Sequence, residues 1–167
     1  YVPLVNWPYL ISKIADDNVE ISYLSCRLIN LLINENPEII ELLLSCNILN
    51  ACLVGIQSQR YKPIRSIVLL LRSFWMHGAI AQQRFVVLHP SSVAVLPYLS
   101  IDESETNTSC VQALHQSLTR LIENDAALLP NLQQIYTIDV ISPLANSNKT
   151  DVSDAGQLIL ELLGYEI

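Results

Sequence analysis

The sequence is poor in glycine, in aromatic residues and in charge, and each shortage excludes a class of structure. Its 167 residues include only 4 glycines, while 7% are aromatic and 15% are charged. All-β sandwiches and barrels need many tight turns, so the shortage of glycine argues against them. Intrinsic disorder needs few apolar residues and many charges, whereas 51% of this chain is hydrophobic. The length fits one ordinary folded domain or a short array of repeats.

The sequence also lacks the residue patterns that are typical of catalytic and cofactor-binding sites. The only histidines are His77, His89 and His115, and none has a cysteine, serine or acidic partner at a diagnostic spacing. The chain contains no glycine-rich phosphate loop, no HExxH and no GxSxG. We therefore expect a protein that is not an enzyme, with no catalytic residues and no cofactor.

The four cysteines do not form a recognisable ligand or disulfide pattern. None belongs to a CxxC pair, so the sequence predicts no metal site. Each lies in an apolar stretch that is typical of a helix, where a cysteine acts as a small buried hydrophobe. A chain of this size does not need a disulfide framework, so we expect a reducing compartment, the cytoplasm or the nucleus. The cysteines are Cys26, Cys46, Cys52 and Cys110.

The apolar runs do not predict a membrane span. The longest run without charge covers residues 42–59, and it contains Asn47, Asn50, Gln57 and Gln59. A helix surrounded by lipid would avoid these amides, so we expect a segment buried inside the protein and no membrane partner.

A pattern of about 44 residues is repeated along the chain. Long apolar segments cover residues 18–34, 62–78, 106–124 and 152–167, and pairs of shorter apolar segments lie between them. Each repeat is therefore predicted to contain two short helices and one long helix. Because one such unit cannot bury its own apolar face, neighbouring units are expected to stack. The corresponding apolar residues of the first three long segments are Leu24, Leu28 and Leu31, then Ile67, Leu71 and Phe74, then Val111, Leu114 and Leu118.

The run at residues 28–56, LINLLINENPEIIELLLSCNILNACLVGI, resembles the armadillo repeat. Asn30 falls where that family often places an asparagine on its third helix, and Asn36-Pro37-Glu38 matches a turn between helices. The family usually has a glycine between its first and second helices. Here Asn47 occupies that place, and we expect it to adopt the left-handed conformation.

The resemblance covers nearly the whole chain and implies an all-α fold, a right-handed α-solenoid of three-helix repeats. It implies one domain over residues 1–167, with repeat units at approximately 1–35, 36–78, 79–124 and 125–167. We expect the chain to be part of a larger protein. The related HEAT repeat has a similar period, so the sequence does not distinguish the armadillo subclass from the HEAT subclass. The family resemblance further implies a non-catalytic scaffold or adaptor that binds a partner peptide or helix in a concave groove lined by the third helices.

Charge is segregated along the chain. Residues 1–41 carry a net charge of -4, residues 42–101 carry +5 without a single acid, and residues 102–167 carry -8. On the long helix at 62–78, the basic residues fall on one side and the apolar residues on the other. A basic strip beside an aromatic ring can anchor an acidic or hydrophobic peptide. The predicted partner-binding residues are Lys62, Arg65, Arg72, Trp75 and Met76.

Two alternatives stay open at this point. The cations can simply solvate a helix face, or they can pair with acids of the flanking repeats. The chain can also be an assembly domain of a structural scaffold that self-associates through the apolar ends of a solenoid. Nucleic acid is not an expected partner, because phosphate binding needs a wide basic surface and the net charge is -7.

Overall fold

The computed structural model describes residues 5–101 and 105–166, and within these ranges every regular element is a helix. This confirms the all-α part of the prediction. Short 3₁₀ turns follow α1 at Lys13–Ala15 and precede α10 at Ala126–Leu128. The α-helices are α1 (Trp7–Ser12), α2 (Val19–Glu35), α3 (Ile39–Ser45), α4 (Ile48–Gln57), α5 (Tyr61–His77), α6 (Ile80–Leu88), α7 (Pro90–Ala94), α8 (Leu96–Ile101), α9 (Glu105–Asn124), α10 (Leu129–Ile135), α11 (Ile138–Ala145) and α12 (Thr150–Leu162).

Local side-chain chemistry fixes where several helices begin. The Oδ1 atom of Asn18 accepts the N–H groups of Glu20 at 3.0 Å and Ile21 at 3.3 Å, so Asn18 caps α2. Pro63 lies in the first turn of α5, where its missing N–H has no intrahelical acceptor to lose. Asn36 accepts the N–H of Glu38 at 3.2 Å in the turn that leads into α3.

Asn47 adopts the left-handed conformation that its position between two helices predicts. Its φ is 66° and its ψ is 29°, which lets α4 start directly after α3 at a new angle. Asparagine tolerates this conformation better than other residues with a side chain. The chain therefore makes this junction without the glycine that the armadillo family usually has.

The repeat pattern predicts two short helices between the second and third long segments, and the segment after Pro90 departs from this pattern. It forms two helices, α7 and α8, which are separated at Val95. Pro97 is the second residue of α8, so it lacks the N–H that would bond the carbonyl of Val93 in a continuous helix. A new helix start at Leu96 places Pro97 where that bond is not needed.

The long helices pack beside one another in chain order: α2 on α5, α5 on α9, and α9 on α12. The hydroxyl of Ser73 on α5 donates to Oδ1 of Asn30 on α2 at 2.5 Å. The thiol of Cys110 on α9 lies 3.9 Å from the carbonyl oxygen of Val68 on α5. These partners are 43 and 42 residues apart, which matches the period of the sequence pattern. Corresponding positions of successive long helices are therefore in contact.

The first long helix does not bury the leucines that the repeat pattern aligns with the core. Leu24, Leu28 and Leu31 are 56%, 46% and 53% exposed, whereas Ile67, Leu71 and Phe74, with which the repeat pattern aligns them, are fully buried. α5 lies between α2 and α9, whereas α2 packs on only one of the other long helices. The side of α2 away from α5 is consequently uncovered among the described residues. The apolar residues that α2 does bury are Cys26, Ile29 and Ile33.

Three of the four cysteines are hydrophobic core residues, whereas Cys46, at the end of α3, is only partly buried. All four are free thiols, and Cys26, Cys52 and Cys110 are buried. Burial disfavours the thiolate and raises the pKa of Cys26 and of Cys110 to about 12. These thiols are therefore poor nucleophiles.

Within the described ranges, no single helix combines the length and apolarity of a membrane span. α3 and α4 meet that criterion only when they are taken together, and they are bent by 67° relative to each other.

Candidate functional site

A groove of about 530 Å³ runs between α2 and α5 and reaches the start of α9. It combines cations with apolar and amide side chains, a composition that suits a peptide better than a purely apolar ligand. Its lining consists of Tyr23, Arg27, Asn30 and Leu31 from α2, Tyr61, Lys62, Arg65, Ser66 and Leu69 from α5, and Thr106 from α9.

The helical repeat of α5 explains why its basic residues line this groove. Residues spaced by three or four positions share one face of a helix, and the apolar face of α5 turns into the core. Ile67, Leu70 and Phe74 are completely buried, so the opposite face is left outside. The members of this outer face are Lys62, Arg65, Leu69, Arg72 and Met76.

Lys62 already has partners on α2. Its Nζ atom lies 2.5 Å from Oε1 of Glu20 and 4.5 Å from the ring centroid of Tyr23. The side chains of Lys62 and Glu20 are 44% and 63% exposed, so water weakens the ion pair and its contribution to stability is small. For this residue, the structure fits the alternative interpretation in which the cations pair with acids of a flanking repeat.

Arg65 differs from Lys62. It is exposed, and it forms no ion pair or hydrogen bond in the part of the chain that the structure describes. It also lines a second cavity, of about 420 Å³, together with Ile64, Val68 and Tyr98. Arg65 therefore lies between two adjacent cavities, and its guanidinium is available to a ligand from either one.

The other three predicted anchors lie in different environments. Met76 is 39% exposed, as the prediction requires. Arg72 is half-buried, and its Nε atom is buried without a hydrogen-bond partner among the described residues. Trp75 is only 1% exposed, so its prediction as an anchor is wrong. It follows Val68 by seven residues, which places it on the side of α5 where α9 packs.

Two residues of α2 complete the groove. The Nη1 atom of Arg27 donates to the hydroxyl of Tyr23 at 2.9 Å, which holds the arginine along the groove. Asn30 accepts from Ser73, and its amide N–H groups make no hydrogen bond in the described residues. The armadillo resemblance pointed to Asn30, whereas no sequence pattern had singled out Arg27. The available signal was the polar spacing of Arg27, Asn30 and Asn34 along one face of α2.

The groove therefore carries an excess of positive charge. Arg27, Lys62 and Arg65 line it, and among the side chains that the structure describes, Glu20 is the only carboxylate that pairs with one of them. Such an excess attracts an acidic partner and repels a basic one.

The side chain of His89 caps a helix in this fold. His89 lies between α6 and α7, where its Nδ1 atom accepts the N–H of Ser91 at 3.2 Å and caps α7. Its Nε2 atom is 3.1 Å from Oδ1 of Asn50, and burial lowers the pKa of its imidazole. The described residues contain no group of three histidine, cysteine or carboxylate side chains that can hold a metal ion.

No protein-family model, no curated protein and no solved structure matches this chain. The arrangement of its own side chains is consequently the basis for a functional conclusion.

Proposed function

We propose that this chain is a protein-interaction module of a scaffold or adaptor, an armadillo-like α-solenoid whose α2–α5 groove binds an acidic segment of a partner protein. The order of contacts supports the solenoid, because α2, α5, α9 and α12 pack sequentially. The hydrogen bonds between helices one period apart support it as well. In this proposal the outer face of α5 is the middle of the binding surface.

The observation that carries the proposal is the unpaired Arg65 in a groove with excess positive charge. A carboxylate of the partner would pair with Arg65, and a second carboxylate would reach Arg27. Leu31 and Leu69 supply apolar contacts, and the amide of Asn30 can donate to a peptide carbonyl. Exposed ion pairs contribute only about 0.2–1 kcal/mol each, so the charges set specificity and the apolar contacts supply much of the affinity.

Peptide selection tests this proposal and does not require the identity of the partner. A library of random peptides displayed on phage is selected on the immobilised chain, and the enriched peptides are measured individually by fluorescence anisotropy. We expect enrichment of aspartate and glutamate next to a bulky apolar residue. The variant Arg27→Glu/Arg65→Glu should bind these peptides about tenfold more weakly or worse, since it replaces attraction with repulsion at two contacts.

Arg120→Glu is the matched control because Arg120 is an exposed arginine outside the groove. It changes the net charge in the same direction and should leave peptide binding nearly unchanged. Enriched peptides without acids, or equal losses in Arg120→Glu and Arg27→Glu/Arg65→Glu, would contradict the groove as the binding site.

A further inference from the structure

A continuous apolar strip lies on α2 outside the groove described above. Ile21, Leu24, Leu28 and Leu31 are 41%, 56%, 46% and 53% exposed. Their spacing of three and four residues places them on one face of the helix over about 15 Å. We call this strip the α2 edge. Leu31 is its boundary with the groove, since it also lines that cavity.

The α2 edge faces away from the neighbouring long helix. Asn30 contacts Ser73 of α5, and the strip lies nearly opposite Asn30 around the helix axis. Exposed leucines are common when they occur singly, but four apolar residues at helical spacing form a docking face. Such a face suits an amphipathic helix with apolar residues at the same spacing.

Acidic side chains mark both ends of the α2 edge. Asp17 lies in the turn before α2, four residues ahead of Ile21. Glu35 follows Leu28 by seven residues and Leu31 by four, so it lies on the same face at the other end. Both are exposed, and neither carboxylate forms an ion pair within the described residues. The guanidinium of Arg60 donates to the backbone carbonyls of Asp16 and Asp17, but it forms no ion pair with the Asp17 carboxylate. A helix bound along the strip would therefore meet an unpaired carboxylate at each of its ends.

This charge pattern disfavours a second copy of the chain as the occupant. Two α2 edges packed antiparallel would bring Asp17 of one copy towards Glu35 of the other, and like charges repel. The last helix, α12, is no better suited, since its sequence TDVSDAGQLILEL contains three acids and no base. The complementary ligand is a helix with basic ends.

We propose that the α2 edge binds an amphipathic helix of a partner protein that carries an apolar stripe with basic residues at both ends. The site meets the groove only at Leu31, because Ile21, Leu24 and Leu28 do not line the groove. It gives the chain a second binding surface of opposite charge preference.

The probe is a synthetic peptide of about 18 residues, long enough to run from Asp17 to Glu35 when helical. It has leucines at the spacing of the α2 edge, two lysines at each end, and alanine and glutamine elsewhere. The control peptide has glutamates in place of the lysines. Fluorescence anisotropy with the full chain should show about tenfold tighter binding of the lysine peptide, and raising the salt from about 50 mM to about 300 mM should reduce that preference.

Paired variants locate the binding site. Leu24→Gln/Leu28→Gln removes the centre of the strip and keeps good helix formers, so binding should weaken about tenfold or more. Val54→Gln/Phe85→Gln is the control, because Val54 and Phe85 are 53% and 56% exposed on other helices and should not affect binding.

A second pair of variants tests the charge at the ends of the strip. Asp17→Lys/Glu35→Lys should reverse the preference between the two peptides, whereas the same change at Asp139 and Asp154, which are exposed on α11 and α12, should not. Circular dichroism must show native helicity for each variant, and the single change Leu24→Gln serves if the double variant loses it.

Several results would overturn the proposal. These are no binding of the lysine peptide, equal binding of both peptides, or equal losses in the Leu24/Leu28 and Val54/Phe85 variants. Analytical ultracentrifugation tests the remaining possibility, that a second copy of the chain occupies the α2 edge. If the chain dimerises and Leu24→Gln/Leu28→Gln abolishes the dimer, a second copy occupies the α2 edge and the basic helix does not. Arg27→Glu/Arg65→Glu should not weaken binding of the lysine peptide, so failure of this site and failure of the groove are distinguishable.

Discussion

For the substitution Gly156→Ala, helix propensity and packing predict changes of opposite sign in the free energy of unfolding. It lies inside α12, and replacing a glycine by alanine inside an exposed helix stabilises a protein by about 1 kcal/mol. Here, however, α12 lies directly against the end of α11. A Cβ atom on Gly156 would be 2.5 Å from the nitrogen of Ala145 and 2.7 Å from the carbonyl carbon of Leu144.

These distances are far below the separation of about 3.5–4.0 Å at which nonbonded atoms attract each other. Both contacted atoms belong to the backbone, so no side-chain rotation can relieve them. The two helices would have to move apart, and overpacking of this kind costs about 1–3 kcal/mol or more. After subtracting the gain in helix propensity, we expect Gly156→Ala to lower the free energy of unfolding by about 0–2 kcal/mol, or by more where the two helices resist separation.

Urea denaturation followed by circular dichroism measures this change, and Gly55→Ala is the matched comparison. A Cβ on Gly55 would meet the Cδ1 atom of Ile67 at 2.6 Å, and that atom ends a side chain that can change rotamer. Gly55→Ala should therefore cost less than Gly156→Ala. If Gly156→Ala stabilises the chain as propensity alone predicts, the close approach of α11 and α12 is refuted. The m value must stay constant for these midpoints to report stability.

Two further predictions concern buried polar groups. Burial lowers the pKa of His89 and of His115 below that of the unfolded chain, so the unfolded state binds more protons and stability should fall as pH drops through about 6.5. Urea midpoints between pH 8 and pH 5 should show this loss, and a flatter profile for His89→Gln would assign part of the loss to His89. The hydroxyl of the fully buried Tyr136 donates to the carbonyl of Val87 at 2.6 Å, so Tyr136→Phe should lower the free energy of unfolding by about 1–3 kcal/mol. An unchanged urea midpoint for Tyr136→Phe would contradict that bond.

Helix positions could be predicted from the sequence because their signals are local. Asn18, Asn47 and Pro63 each act within one turn of their own position, through a side-chain cap, a left-handed φ or a missing N–H. The position of the basic strip followed from spacing alone, and Lys62 and Arg65 do lie on the outer face of α5. Local patterns thus identified the two cations that α5 contributes to the groove.

The predictions failed where the burial of a side chain depends on how many other helices pack against its own helix. The apolar pattern of one helix indicates a buried side but not the width of that side. α5 is covered by α2 and α9, so Trp75 at the border of its apolar face is buried. α2 is not covered on its second side by the described residues, so Leu24 and Leu28 are exposed although they are apolar. No sequence pattern had singled out Arg27, because its place in the groove depends on how α5 packs against α2.

The two proposed surfaces can be tested separately from the stability of the fold. Arg65, Leu24 and Leu28 are exposed and outside the core, so substitutions there should change the free energy of unfolding by only about 0.5 kcal/mol. A loss of binding in these variants therefore cannot be attributed to unfolding. The two surfaces also lie on adjacent faces of α2 that meet at Leu31, with the cations of the groove near Arg27 and the acids of the α2 edge at Asp17 and Glu35. A partner with acidic and basic segments would consequently bind in only one orientation, since reversing it would place like charges together at both sites.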